Sequence, residues 1–228
     1  MDILKSFLRK FIILILFIIC AIFLTGEEKI VNNNELISSN NEKVVTEKVT
    51  IKKGAYIEGP RQEKISKKEQ TVNVGGIKVN ITKLAKYDIT GIVLDTEKYN
   101  DVVGPIDVGL AWGKLAENNN YKKFTSCVVK NRTLTWMSNN SAWIREMGGE
   151  NEITKNCSNN HLIPANDNIR KEILKINKDE YVRLTGYLVR AEWNVGNTKH
   201  VWGPSSLSRT DTGNNSCEIM YVETIDFL

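Results

Sequence analysis

Two side chains in this sequence have the types that cysteine nucleophile chemistry requires, Cys217 and His161. A thiol attacks a carbonyl carbon as the thiolate, and a nearby imidazole is the usual partner that takes up the thiol proton. Cys217 follows a Gly-Asn-Asn-Ser loop at the start of the last predicted strand, where a nucleophile can be accessible. Asn159 or Asn160 is a candidate for orienting the imidazole, and Arg209 for binding a substrate carboxylate. In the alternative interpretation, Cys217 is a small core residue and His161 hydrogen-bonds within the loop before a predicted helix.

An Asp-Thr-Gly triplet begins at Asp211, but its flanks favour a turn over the aspartic protease site that the triplet also suggests. The polar segment Ser208-Arg209-Thr210 precedes it, where such a protease has an apolar strand. Gly213 supplies the positive φ that a turn often needs. We therefore expect Asp211 to accept hydrogen bonds from loop amides or to pair with Arg209.

The cysteines downstream of the N-terminal segment are Cys127, Cys157 and Cys217. Cys157 and His161 have i, i+4 spacing, but structural zinc sites usually present two pairs of closely spaced ligands. The sequence therefore predicts no metal and no cofactor. Outside the cytoplasm a disulfide is the more natural pairing, and three cysteines allow one bridge and one remaining thiol. The spacing does not choose among the three pairings.

Two tryptophans are candidates for contact with a ligand. Trp193 and Trp202 flank the segment 194–197, which has the composition of a hairpin tip, and exposed aromatic rings stack sugars or bases. Trp112 lies on the apolar face of a predicted strand and is expected in the core. Nucleic acid binding would require a basic stripe, whereas the lysines here are interleaved with acids. The sequence therefore predicts no nucleic acid partner.

The N-terminus has the layout of an export signal or membrane anchor, since three basic residues precede an unbroken apolar run: Lys5, Arg9 and Lys10 before Phe11 to Leu24. The run is about 21 Å long as a helix. Phe7 and Leu8 extend the apolar stretch to residues 7–24 if Arg9 and Lys10 snorkel to the membrane surface, and this length is close to a full span. We expect a single-pass anchor with the N-terminus inside, so that the following domain faces the periplasm or exterior. The sequence leaves open whether the anchor is cleaved.

Composition narrows the class of protein. With 228 residues, 41% hydrophobic and 25% charged, the chain is neither collagen-like, wholly disordered nor a polytopic membrane protein. Half of the formal net charge of +4 lies in the first 26 residues, where three basic residues oppose Asp2. The remaining chain is nearly neutral and gives no support for a polyanionic partner.

Hydrophobic periodicity predicts a β-rich domain over residues 71–228, after a signal or anchor at 1–26 and a polar linker at 27–70 that has a possible extended segment. The stretch 59–70 is expected to be a solvated loop. A short helix is predicted over 166–176, because Ile169, Ile173 and Ile176 recur at helical spacing. Alternating apolar residues predict strands at 76–84, 87–95, 106–112, 124–129, 133–137, 181–190 and 218–225.

The expected fold class is mainly β (α+β). From Tyr87 onward, the order of three strands, one helix and two strands is that of an OB-fold. Another small β-barrel or a β-sandwich fits the same order.

Several segments resemble an uncharacterised family of small bacterial exported or membrane-anchored proteins. They are Ile106 to Gly113 (IDVGLAWG), Ser158 to Ala165 (SNNHLIPA) and Ser205 to Glu218 (SSLSRTDTGNNSCE), together with 87–93 and 182–189. The resemblance covers roughly residues 87–228. It implies a shared domain and an extracytoplasmic location, and it implies no reaction because no activity is established for such proteins.

The first functional hypothesis is a membrane-anchored extracytoplasmic binding or assembly domain of the bacterial cell envelope, with an unknown envelope protein or small ligand as its partner. The second is a Cys-dependent hydrolase or transpeptidase that uses Cys217 and His161. Cell-wall transpeptidases have His and Cys in the same order, although their His-Gly and Ser-x-Gly-Cys signatures are absent here. The third is a structural subunit of an envelope complex. The sequence does not decide whether the protein is an enzyme.

Overall fold

Nine strands run through residues 49–208 and 217–228, which are the residues that the structure, a computed structural model, describes. They are β1 Arg61–Val74, β2 Ile77–Lys98, β3 Ile106–Ala111, β4 Ser126–Lys130, β5 Thr133–Met137, β6 Cys157–Pro164, β7 Tyr181–Val195, β8 Thr198–Trp202 and β9 Glu218–Phe227. The predicted anchor at 1–26 and the candidate ligands Arg209 and Asp211 lie outside the described residues. The expectation of a mainly β domain is confirmed.

The helices are short. They are α1 Gly113–Ala116, a 3₁₀ segment at Glu117–Lys123, α2 Ser141–Glu146, α3 Glu150–Thr154 and α4 Asp167–Ile173. The predicted helix is α4: the Asn166 side chain accepts from the amides of Asn168 and Ile169 at 3.0 Å and so caps its first turn. No helix of the described residues combines the length and the apolar character that crossing a membrane demands.

Five strands pair into a closed ring in the order β2, β3, β6, β9, β7 and back to β2. The β6–β9 pair is parallel and the other four pairs are antiparallel. β1 and β8 extend the sheet at β2 and β7, and β4 with β5 forms a separate hairpin. The ring encloses fully buried apolar side chains from each of its strands, among them Ile89, Val108, Leu162, Leu184 and Met220.

Three elements differ from the sequence-based expectation. β1 begins at Arg61, inside the stretch expected to be a solvated loop, and β2 is one strand of 22 residues where two were expected. β6 was expected to be a loop, because the sequence at 157–161 is polar and shows no apolar alternation. The strand tolerates its buried polar residues because the side-chain amides of Asn159 and Asn160 donate to Asp107 and to the carbonyl of Val108.

The hairpin of β4 and β5 covers one face of β3. A Cβ on Gly109 would lie 2.9 Å from Leu134 Cδ1 and 3.1 Å from Val129 Cγ2, so the hairpin side chains occupy the space above this glycine. Because side chains two residues apart in a strand share a face, Asp107 projects on the same face of β3. The hairpin therefore buries a charged residue that an isolated β3 would expose.

Candidate functional site

Asp107 and His161 stand directly opposite each other on the antiparallel strands β3 and β6. His161 Nδ1 lies 2.9 Å from Asp107 Oδ1, which is a hydrogen-bonding distance, although the ring N–H points away from the line between the two atoms. The Asp107 side chain is fully buried and that of His161 is 12% exposed. Neighbouring side chains on paired strands lie within about 5.5 Å of each other at Cβ, so the strand register itself brings the two together.

The buried carboxylate of Asp107 has four polar neighbours. Its Oδ1 accepts from Arg132 Nη1 at 2.8 Å as well as facing His161. Its Oδ2 accepts from Asn159 Nδ2 at 3.2 Å and from the Tyr99 hydroxyl at 3.3 Å. A buried charge is tolerated only when paired and hydrogen-bonded, and these four neighbours meet that requirement.

Arg132 reaches Asp107 from the tip of the β4–β5 hairpin. Asn131 and Arg132 have φ values of 52° and 67°, which fits the two-residue turn that usually closes such a hairpin. The guanidinium also contacts Asp101 Oδ2 at 3.0 Å and the Gly104 carbonyl at 3.0 Å. It lies 3.5 Å from the centre of the Tyr99 ring, so that cation–π attraction adds to the ion pairs.

Cys217 lies next to this cluster. The Cys217 thiol lies close enough to the His161 imidazole to contribute to the raised pKa of that ring, and Cys217 Sγ lies 3.9 Å from the main-chain carbonyl oxygen of Arg132. Cys217 is partly exposed. Cys217, His161 and Asp107 therefore form a row of thiol, imidazole and carboxylate, which is the arrangement of a cysteine nucleophile with its partners.

The surroundings favour the charged form of His161. Burial of the ring lowers its pKa, but the Asp107 carboxylate 2.9 Å away and the neighbouring Cys217 thiol outweigh the burial and raise the pKa from 6.5 to about 9. The imidazole is therefore protonated at neutral pH.

His161 should make stability depend on pH. Because its pKa is higher in the folded protein, protonation contributes stability that is fully present below pH 6.5 and is lost as the pH rises through about 9. The shift corresponds to about 3 kcal/mol at most. We expect urea unfolding to show a larger loss of stability between pH 6 and pH 10 in the wild type than in His161→Gln. His200→Gln, which changes an exposed histidine, serves as the control, and equal losses in all three proteins would contradict the assignment.

The two candidate ligand tryptophans pack against the protein's own side chains. The Trp202 ring lies 5.6 Å from the His161 ring and 4.8 Å from the Arg132 guanidinium, and it occupies the space that a Cβ on Gly104 would need. Trp193 is 7% exposed, stacks on His200 and meets Trp202 edge-on. Trp202 thus borders the Cys217–His161 cluster, while Trp193 lies one ring further away.

The remaining candidate residues fall into two groups. Asn160 is fully buried and donates to the carbonyls of Val108 and Ser158, so it lies inside the fold and does not reach the imidazole. Asn159 acts through Asp107. The candidates that sequence reasoning missed are Asp107, Arg132 and Tyr99. The available signal was an acid between Ile106 and Val108 in a strongly apolar strand, and an arginine between the strands predicted at 124–129 and 133–137.

The other two described thiols have no part in this cluster. Cys127 and Cys157 are unpaired by disulfide, and burial raises the pKa of each to about 12. Within residues 49–208 and 217–228 no group of three or more His, Cys, Asp or Glu side chains is placed to hold a metal ion.

Comparison of the chain with models of protein families, with curated proteins and with solved structures finds no match. The chemistry of this site therefore has to be inferred from its own geometry.

Proposed function

We propose that the protein is a cysteine-dependent hydrolase or acyl transferase in which Cys217 is the nucleophile, His161 holds the thiol proton and Asp107 keeps the imidazole charged and oriented. The observation that carries the proposal is the contact sequence from Cys217 to His161 to Asp107. Cysteine nucleophiles are reactive as thiolates beside a positively charged group, and an acid behind the imidazole fixes its orientation.

The raised pKa assigns His161 the role of proton donor at neutral pH, where the sequence alone suggested a general base. The Cys217 sulfur attacks the carbonyl carbon of an amide, an S–C bond forms and the C–N bond breaks, and the departing amine takes the proton from His161. Water, or a second amine in a transpeptidation, then attacks the thioester carbon, and its proton passes to His161 as the sulfur leaves. The thiolate and imidazolium are thereby restored.

We further infer that the closed ring is an OB-like barrel. The order β2, β3, β6, β9, β7, the parallel β6–β9 pair and the helix between the third and fourth strands support this. OB-folds bind chain-like ligands on strands 2 and 3 and on the loops after strands 1 and 4. The corresponding parts of this chain carry Asp107, His161, Tyr99 and Cys217. By this fold-level analogy, a peptide or glycan chain is the favoured class of substrate.

We propose, from the basic and apolar N-terminal sequence, that residues 7–24 anchor the chain in the cytoplasmic membrane and that the domain acts on the outer side, on envelope material. A binding or assembly domain, including a structural subunit of an envelope complex, is the second candidate. The observation that favours it is the near-complete burial of His161 and Asp107, since a cluster that ties a hairpin to the ring also has a structural use.

Thiol alkylation separates the two candidates. With iodoacetamide at pH 6.5, Cys217 should be alkylated at least about tenfold faster in the wild type than in His161→Gln, because the imidazolium stabilises the attacking thiolate. Cys127 and Cys157 provide internal controls: Cys157 is buried and Cys127 is partly exposed like Cys217, and because the pKa of each thiol is raised to about 12, both should react slowly while the protein is folded. Peptide mass spectrometry reads all three sites. If Cys217 reacts no faster than free glutathione at this pH, the enzyme proposal is wrong and the binding role is retained.

A further inference from the structure

The Arg132 residue contacts two members of the Cys217–His161–Asp107 row through different atoms. Its guanidinium Nη1 donates to Asp107 Oδ1 at 2.8 Å, and its main-chain carbonyl oxygen lies 3.9 Å from Cys217 Sγ. The same carbonyl accepts from Asn159 Nδ2 at 3.0 Å, and that amide also donates to Asp107. One residue of the hairpin is therefore linked to both ends of the row.

The position of that residue is set by bonds from β2 and the segment after it. The amide of Val129 donates to Asp95 Oδ2 at 2.8 Å, that of Asn131 to Glu97 Oε2 at 2.7 Å and that of Arg132 to the Tyr99 hydroxyl at 2.9 Å. The three acceptors, Asp95, Glu97 and Tyr99, occupy alternate positions along β2 and just beyond its end. They fix the carbonyl of Arg132 relative to β2, and hence relative to β3 and Asp107.

The side chain has to be an arginine for its set of contacts to form. Its planar guanidinium meets Asp101, Asp107 and the Gly104 carbonyl at 2.8–3.0 Å and stacks on the Tyr99 ring. A lysine ammonium retains the charge but lacks the plane and the forked donors.

Arg132 and His161 share one carboxylate oxygen. Both Arg132 Nη1 and His161 Nδ1 approach Asp107 Oδ1, so the two cations compete for the same negative charge. The groups facing His161 are Asp107 from β3, the Cys217 thiol before β9, the Trp202 ring from β8 and, through Asp107, the Arg132 guanidinium with its second partner Asp101. Of the two cations, removing Arg132 leaves only His161 beside Asp107, whose other neighbours Asn159 and Tyr99 are neutral donors.

We propose that Arg132 is a positioning residue that holds Asp107 and the Cys217 thiol in register and limits how strongly Asp107 retains the proton on His161. This proposal rests on the proposed function only in assuming that Cys217, His161 and Asp107 carry out thiol chemistry. The link between Arg132 and the charge of His161 stands on the geometry alone.

Arg132→Gln tests this link in the full chain. We expect the midpoint of the His161 imidazole titration, followed by NMR, to move upward by about one pH unit, a tenfold change in proton affinity, because one competing cation is lost. The chain has two histidines, so the signals are easily assigned. Arg183→Gln is the matched control: Arg183 makes a bidentate pair with Asp88 at 2.7 and 2.9 Å between β2 and β7, away from the row. An unchanged His161 titration in Arg132→Gln would overturn the proposal.

Arg132→Lys gives a second measurement. It keeps the positive charge, so the result does not require the protein to fold without a cation at this position. We expect it to keep the His161 titration closer to the wild type than Arg132→Gln does, while Cys217 alkylation at pH 6.5 falls severalfold because the ammonium cannot make all of the guanidinium contacts. Alkylation equal to that of the wild type in a folded Arg132→Lys protein would contradict the positioning role. If Cys217 is inert already in the wild type, the proposed enzyme function fails, whereas the titration shift in Arg132→Gln still tests the action of Arg132 on Asp107.

Discussion

Asp107→Asn is expected to lower the pKa of His161 from its value of about 9 and to destabilise the fold by about 3 kcal/mol. The substitution preserves size and removes the negative charge that opposes the effect of burial on the imidazole. It also leaves the protonated His161, whose side chain is 12% exposed, without its carboxylate partner, and it leaves Arg132 with Asp101 as its ion-pair partner. NMR titration of the histidines and urea unfolding at pH 7 measure the two effects.

Asp88→Asn is the matched control for this experiment. Asp88 also pairs with an arginine, Arg183, but its side chain is 30% exposed. Exposed ion pairs contribute at most about 1 kcal/mol, so this variant should lose much less stability and leave the His161 titration unchanged. Equal losses in the two variants, or a His161 pKa that stays near 9 in Asp107→Asn, would show that Asp107 does not control the imidazole.

Gly186→Ala is expected to destabilise the protein by about 3 kcal/mol or more, since it combines overpacking with backbone strain. Gly186 has a φ of +157°, and a Cβ there would lie 2.0 Å from the carbonyl oxygen of Tyr221 on β9. The β7–β9 register shifts by one residue at this point, so the glycine admits the bulged strand that closes the ring. Because β9 begins beside Cys217, a displaced β9 should also slow alkylation of Cys217.

Gly196→Ala is the matched control, because it introduces backbone strain at a positive φ without a steric clash. Gly196 has a φ of +57° at the β7–β8 turn, and a Cβ there meets nothing within 4 Å. We expect a loss of about 1 kcal/mol and no change in alkylation of Cys217. Urea unfolding of the two variants gives the comparison, and a Gly186→Ala protein no less stable than Gly196→Ala would refute the close approach of β7 and β9.

The sequence pointed to part of the candidate site because residue type is a local property. Residue type alone selects Cys217 and His161 as a candidate nucleophile and its partner, and this pairing stays a prediction, with the influence of Cys217 on the pKa of His161 in its favour. Asp107 was predicted only as one position of an alternating strand, whose alternate residues would ordinarily face solvent. Its burial comes from the hairpin lying over Gly109, and no pattern within residues 106–112 encodes that contact.

The position of Arg132 is a second case in which local sequence patterns do not predict a contact between distant residues. The sequence predicts strands at 124–129 and 133–137, but it does not say which surface these strands cover. The contacts that give Arg132 its place come from Asp101, Asp107 and Tyr99, which are 25 to 33 residues away in the chain.

The sequence by itself determined the periodic elements: the mainly β character, the β4–β5 hairpin, the capped helix α4 and the strands β3, β7 and β9. These follow from side-chain alternation, turn residues and caps, which act over a few neighbouring residues. Only the tertiary structure decided that β1 and β6 are strands, that β2 runs unbroken, that the ring closes, and that Cys217, His161, Asp107 and Arg132 meet. The physical reason is that pairing and burial between distant strands supply the energy for these features, and this energy can stabilise a polar segment such as β6 as a strand once its side chains have partners.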